Sequence, residues 1–303
     1  MDRKILIAHL LLFIVNFLYG ANYLIAKMVM PAYLLPTGFI LLRVLVSGLL
    51  FFLVAPMFKR EKIERKDFFL LAFCGLTGVA LNQVLFFKGL ALTTPINASI
   101  IMTTTPVLVL VVAAILIKEK ITLRKIFGIA LGASGAIMLL TLGKSISFNS
   151  DTFRGDLFVF LNALSYGVFL VIVKPLMKKY HPITIIKWVF FSGFFFVLPF
   201  GYDEFLAIQW AFLPAKIWLG ITYVVIGTTF IAYLLNTVAL NVMPSSIVSI
   251  YIYLQPIIAS GFALFYGQDQ LSFLKIVSAL LIFAGVYLVS SVGKTKLKHK
   301  TSP

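Results

Sequence analysis

Few side chains in this sequence can do chemistry, and most of those sit among apolar neighbours. Asn16, Tyr19 and Tyr23 are three and four residues apart, so a helix would carry them on one face, with Asn22 nearby. Asn162, Ser165 and Tyr166 form a similar group, as do Asn82 with Gln83 and Tyr233 with Asn236. Thr103, Thr104 and Thr105 precede Pro106, and Tyr251, Tyr253 and Gln255 precede Pro256. Amides, phenols and hydroxyls of this kind recognise a polar ligand through hydrogen bonds. Arg43 adds the planar fork of a guanidinium, which suits a carboxylate or a phosphate. The candidate binding residues are Asn16, Tyr19, Tyr23, Arg43, Asn82, Thr103, Thr104, Asn162, Tyr166, Tyr233, Tyr253 and Gln255. For any one of them, hydrogen bonding between helices is the plainer alternative. For Arg43 the alternative is a brace against helix carbonyls.

Signals of catalysis and of metal or cofactor binding are missing. His9, His181 and His299 are scattered, and no G-x-S-x-G, H-E-x-x-H or phosphate-binding loop occurs. The sequence therefore predicts neither an enzyme nor a resident metal or cofactor, and the missing ATP loop argues against a primary pump. Cys74 lies alone in an apolar run and reads as a packing residue.

The elements that must position these residues follow from composition. Hydrophobic residues make up 61% of the chain, charged residues 12%, and the mean hydropathy is +1.05. Such a chain is an integral membrane protein. Apolar runs give ten spans: 5–26, 36–56, 68–89, 97–117, 126–142, 156–176, 183–201, 217–240, 245–266 and 273–292. The first run continues too far for a cleaved leader and reads as a retained helix. Tyr202–Lys216 is too mixed to span and is expected along the membrane surface. With both termini cytoplasmic, seventeen of the 26 Lys and Arg fall on the inner side and six on the outer side. The net charge of +16 is then a topology signal, and a nucleic-acid partner is excluded for want of a soluble basic face. Lys174 and Lys187, near the cytoplasmic side, and Lys88, near the outer side, are expected to snorkel. Arg43 lies deeper, about 10 Å in from the end of its span.

The chain contains its own pattern twice. Pro106 is followed by Lys118-Glu119-Lys120, Lys125-Ile126 and Gly135; Pro256 is followed in the same register by Gln268-Asp269-Gln270, Lys275-Ile276 and Gly285. Further back, Tyr19-Gly20 with Lys27 matches Tyr166-Gly167 with Lys174, and Ser47-Gly48 matches Ser192-Gly193. Five spans per half is an odd number, so the second half must enter the membrane inverted. Prolines at matched mid-span positions free the carbonyls of Met102 and Ile252, and freed backbone at that depth must face protein or a wet cavity. Pro106 and Pro256 are therefore expected to mark helix breaks at the site. Gly128, Gly132 and Gly135 permit close packing within the bundle, with a homodimer face as the alternative.

Ten spans in a five-plus-five inverted repeat, prolines in spans four and nine, and an acidic residue thirteen positions after each proline (Glu119, Asp269) resemble the drug/metabolite transporter superfamily, EamA-type members most of all. The likeness runs from about Ile5 to Val292. It implies a carrier of small molecules, since such proteins move amino acids, sugars, nucleotide derivatives and drugs, many of them outward. The expected organisation is a first five-helix repeat at 1–142, a linker at 143–155, a second repeat at 156–292 and a basic cytoplasmic tail at 293–303. The expected protein is an all-α, multi-pass inner-membrane exporter of small polar metabolites such as amino acids, working by alternating access. The alternatives are a lipid-linked or nucleotide-sugar carrier and, further off, a lipid-acting membrane enzyme.

Overall fold

A computed structural model describes residues 3–58, 61–141, 150–265 and 272–298. The first half comprises α1 (Arg3–Val29), α2 (Pro36–Val54), α3 (Asp67–Gly75), α4 (Leu81–Leu92), α5 (Pro95–Met102), α6 (Thr105–Ile117) and α7 (Leu123–Thr141). The second comprises α8 (Ser150–Ile172), α9 (Lys174–Met177), α10 (Pro182–Leu206), α11 (Ala215–Thr222), α12 (Ala232–Val242), α13 (Ser245–Ile250), α14 (Leu254–Phe265) and α15 (Phe273–Lys298). Helices dominate because every backbone group in hydrocarbon must find its partner within the chain. Among the described residues, seven helical stretches are long and apolar enough to cross a membrane; Ser245–Ile258 and Phe273–Val289 are apolar but shorter.

The halves repeat the same irregularities. A π-helical turn joins α3 to α4 at Leu76–Ala80, and a longer one joins α11 to α12 at Tyr223–Ile231. A break at Thr103-Thr104 separates α5 from α6, and a 3-10 turn at Tyr251–Tyr253 separates α13 from α14. The breaks end two and three residues before the expected prolines, Pro106 and Pro256. Packing partners also come in twos: α4 meets α8 as α1 meets α12, and α6 meets α8 as α1 meets α14. The remaining large interfaces, α2 with α10 and α7 with α15, pair equivalent helices across the halves.

Small residues let those pairs close. A Cβ added at Gly285 of α15 would lie 2.5 Å from the Gly128 carbonyl oxygen of α7, and one at Gly132 would lie 2.3 Å from the Tyr253 ring. The glycine stripe of α7 is thus occupied within the chain, which removes the reason to read it as a homodimer face. Glu204 of α10 accepts from the Thr37 and Gly38 amides at 2.7 and 2.9 Å, which satisfies orphan donors at the start of α2. Apolar side chains such as Leu53, Phe69 and Leu219 are exposed, while Asn16, Gln83 and Asn162 are buried. Apolar side chains on the outside suit a bundle surrounded by lipid, and the buried polar ones sit within a core that is otherwise apolar.

The segment expected on the membrane surface is shorter than the sequence suggests. Helix α10 runs on to Leu206, and a 3-10 turn at Trp210–Phe212 leads into α11 at Ala215. Lys174 departs from the expected snorkelling. Lys174 Nζ donates to the Leu240 and Met243 carbonyls at 2.5 and 2.7 Å, closing the C-terminal end of α12. Lys27, its counterpart, donates to Leu90 and Thr93 at 2.8 and 3.4 Å at the end of α4. Unpaired carbonyls at a helix C-terminus attract a cation more strongly than a path to water does. Lys187 lies 5.4 Å from the ring centres of both Phe52 and Trp188.

Candidate functional site

A cavity of about 720 Å³, counted to its mouth, lies between the two halves. Helix α1 contributes Asn16, Tyr19, Asn22 and Tyr23, and α2 contributes Arg43. Helix α4 supplies Asn82, Gln83, Phe86 and Phe87; α8 supplies Asn162 and Tyr166; α12 supplies Tyr233 and Asn236. Met102 and Ile252, whose carbonyls the two prolines should free, both line it, as does Gln255.

Nine of the twelve candidate residues are therefore gathered around one space: Asn16, Tyr19, Tyr23, Arg43, Asn82, Asn162, Tyr166, Tyr233 and Gln255. Thr103, Thr104 and Tyr253 are not among the lining residues. The two threonine hydroxyls fold back onto the carbonyls of Ile100 and Ile101 at 2.6 and 2.8 Å, a local bond available to any short hydroxyl in a tight turn. Tyr253 turns away and packs its ring on Gly132. Pro106 and Pro256 are buried behind the breaks. Of the acidic pair, Glu119 lies outside the cavity, where its Oε1 accepts from Lys125 Nζ and from Ser246 Oγ, each at 2.5 Å. That contact joins the loop after α6 in one half to α13 of the other. Gln268, Asp269 and Gln270 lie outside the described residues.

Hydrogen bonds within the walls cross between halves. Gln255 Nε2 donates to Asn16 Oδ1 at 2.9 Å, and the Tyr23 hydroxyl lies 3.3 Å from Gln255 Oε1. Asn162 Nδ2 donates to the Asn82 carbonyl at 2.6 Å. The π turns take part because their wide i→i+5 winding leaves carbonyls for side chains. Tyr233 donates to the Gly78 carbonyl at 3.1 Å, Ser165 to Thr77 at 2.7 Å and Ser47 to Val225 at 3.2 Å.

Among the described residues Arg43 is the one charged side chain in the lining. Its Nε donates to Thr229 Oγ1 of the second π turn at 2.9 Å, and its guanidinium carbon lies 4.3 Å from the centre of the Phe87 ring. Neither brace is a helix carbonyl. Among the described residues no group of three or more His, Cys, Asp or Glu could hold a metal. The wall can bind through hydrogen bonds, an aromatic surface and one positive charge.

Sequence reading missed Phe86, Phe87, Val15 and Val248, whose apolar side chains look like any other in a span. It also missed Thr229, which touches the site only through Arg43.

Comparison with known proteins bears on the family and the fold. The description "EamA-like transporter family" fits the chain twice, over residues 6–141 and 153–291. An "Uncharacterized transporter" of Archaeoglobus fulgidus is 26% identical over 286 residues, covering 93% of this chain and 97% of its own. A "Probable terminal-alkyne amino-acid exporter" of Streptantibioticus cattleyicolor is 25% identical, covering 88% of each chain. A solved crystal structure superposes with a TM-score of 0.77 at 17% identity over 93% of this chain and 98% of that one, a likeness of fold alone.

Proposed function

The chain belongs to the EamA-like transporter family, and on that premise we propose that it is a secondary carrier that exports small polar metabolites, amino acids or similar molecules, by alternating access. The fold we propose has ten membrane helices in two inverted halves of five, divided near residues 143–155, with both termini in the cytoplasm of a cell whose inner membrane holds it. One observation carries the reading: a cavity with amide, phenol and guanidinium groups in an otherwise apolar wall lies between the halves, and the matched breaks of both halves open onto it. Carriers built from inverted repeats place their substrate at such a junction of interrupted helices.

The halves would rock around the bound molecule, and contacts that differ between the two states would drive the change. Hydrogen bonds across the halves, such as Gln255 to Asn16 and Arg43 to Thr229, are the contacts that such a motion would remake. The relative named as an amino-acid exporter supports the outward direction and the substrate size. A nucleotide-sugar carrier would need to neutralise more than one phosphate charge, and the wall offers a single guanidinium.

Counterflow tests the proposal. Proteoliposomes loaded with an unlabelled pool of amino acids, nucleotide sugars and drug-like cations should accumulate at least one labelled member of that pool. Folded protein that accumulates none of them would overturn the carrier reading.

A further inference from the structure

Arg43 is buried to 3% exposure, and its Nη1 has no hydrogen-bond partner. Among the described residues no carboxylate lines the cavity and none forms an ion pair with Arg43. A buried charge with an empty donor is unfavourable until something of opposite charge meets it. The same wall holds the reverse need. Asn162 is buried to 2% exposure, and its Oδ1 accepts no hydrogen bond. Its amide orientation is fixed, because Nδ2 already donates to the Asn82 carbonyl.

The cavity thus presents a charged donor without an acceptor and a neutral acceptor without a donor. Resting on the carrier reading, we propose that the site takes a small molecule bearing a single carboxylate, seated on Nη1 of Arg43, and a hydrogen-bond donor directed at Oδ1 of Asn162. Organic cations are excluded, since they add charge of the same sign to a cavity that has no acidic side chain.

Thr229 is the positioning residue for this subsite. The π turn leaves the Val224 carbonyl to side chains, and the Thr229 hydroxyl donates to it at 2.7 Å. With its proton committed there, Oγ1 turns a lone pair to Nε of Arg43. Phe87 holds the guanidinium face, so the remaining freedom of the fork is small. A lysine keeps the charge but loses both the fork and the Nε bond.

The test is counterflow with matched compounds. The labelled probes are the pool amino acids and 2-hydroxy acids, the carboxamide of each, and a set of primary amines. Uptake is expected for carboxylates and not for their carboxamides or for the amines. Thr229→Val should raise KM by about ten- to hundredfold at nearly unchanged maximal rate, the scale of one hydrogen bond to a charged group. Thr229→Ser, which keeps the hydroxyl, should restore it, and Arg43→Lys should not replace arginine. Carboxamides or amines carried as well as the acids would overturn the anion subsite while leaving the carrier intact. An unchanged KM in Thr229→Val would overturn the positioning role. No uptake of any probe by folded protein would overturn the carrier reading and this subsite with it.

Discussion

Replacing Gly132 with alanine should loosen the protein at the seam between α7 and the second helix break. The added methyl would sit 2.3 and 2.6 Å from two carbons of the Tyr253 ring. Ordinary carbon contacts begin near ~3.5 Å, so the ring must retreat by about 1 Å. Tyr253 is fully buried and has no empty side to enter. Overfilling a packed interior costs about 1–3 kcal/mol. Alanine recovers about 1 kcal/mol over glycine inside a helix. An overlap this deep takes the upper part of that range, about 2–3 kcal/mol, so the net loss is about 1–2 kcal/mol, or a melting temperature lower by a few degrees. Gly261→Ala is the control, because no described atom lies within 4 Å of a Cβ added there. It should melt at or slightly above the wild-type temperature. Thermal unfolding of both variants in one detergent reads the difference, and counterflow reads its consequence, since Ile252 beside Tyr253 lines the cavity. A Gly132→Ala protein as stable as wild type would refute the packing argument.

Three further outcomes follow from contacts outside the cavity. Glu119→Gln leaves the buried Lys125 ammonium without its counter-charge and weakens the link to Ser246, so stability should fall by about 2–3 kcal/mol in thermal or denaturant unfolding. Lys174→Met strips two carbonyl partners from the end of α12 and should speed amide exchange in Ser245–Ile250, more than Lys27→Met does in Pro95–Met102, where one bond is long. Lys179 donates to both oxygens of Asp67 at 3.1 and 2.9 Å, and those bonds hold its ammonium above the ordinary lysine pKa. The tie is therefore complete below the ordinary lysine value and fades only as pH rises through the raised one. The melting difference between wild type and Lys179→Met should stay constant from pH 7 to pH 9; a difference that shrinks within that window would contradict it.

Much of the site was legible because polarity is conspicuous in an apolar chain. Asn16, Tyr19, Tyr23, Asn82, Asn162, Tyr166 and Tyr233 stood out by contrast, and the internal repeat brought two distant breaks to one depth. Thr103 and Thr104 were misread because depth says nothing about direction. A hydroxyl three residues from a carbonyl in the same turn meets it before any cavity. Phe86 and Phe87 gave no contrast, and the π turn that aims Thr229 has no residue pattern of its own. Lys174 looked like a snorkelling side chain because the carbonyl it caps is more than sixty residues away in sequence.

The central claim is that one cavity serves both sides of the membrane in turn, and cysteine accessibility tests it directly. Cys74 is the single native cysteine and is buried, so Cys74→Ala supplies a thiol-free background. In it, Asn82→Cys should react with an impermeant thiol reagent from the cytoplasmic face and, in separate vesicles, from the outer face. A transported molecule should slow both reactions, and neither condition should open a leak for small ions. Labelling from one side only would contradict alternating access, and labelling from both sides with a continuous ion leak would make the cavity a channel.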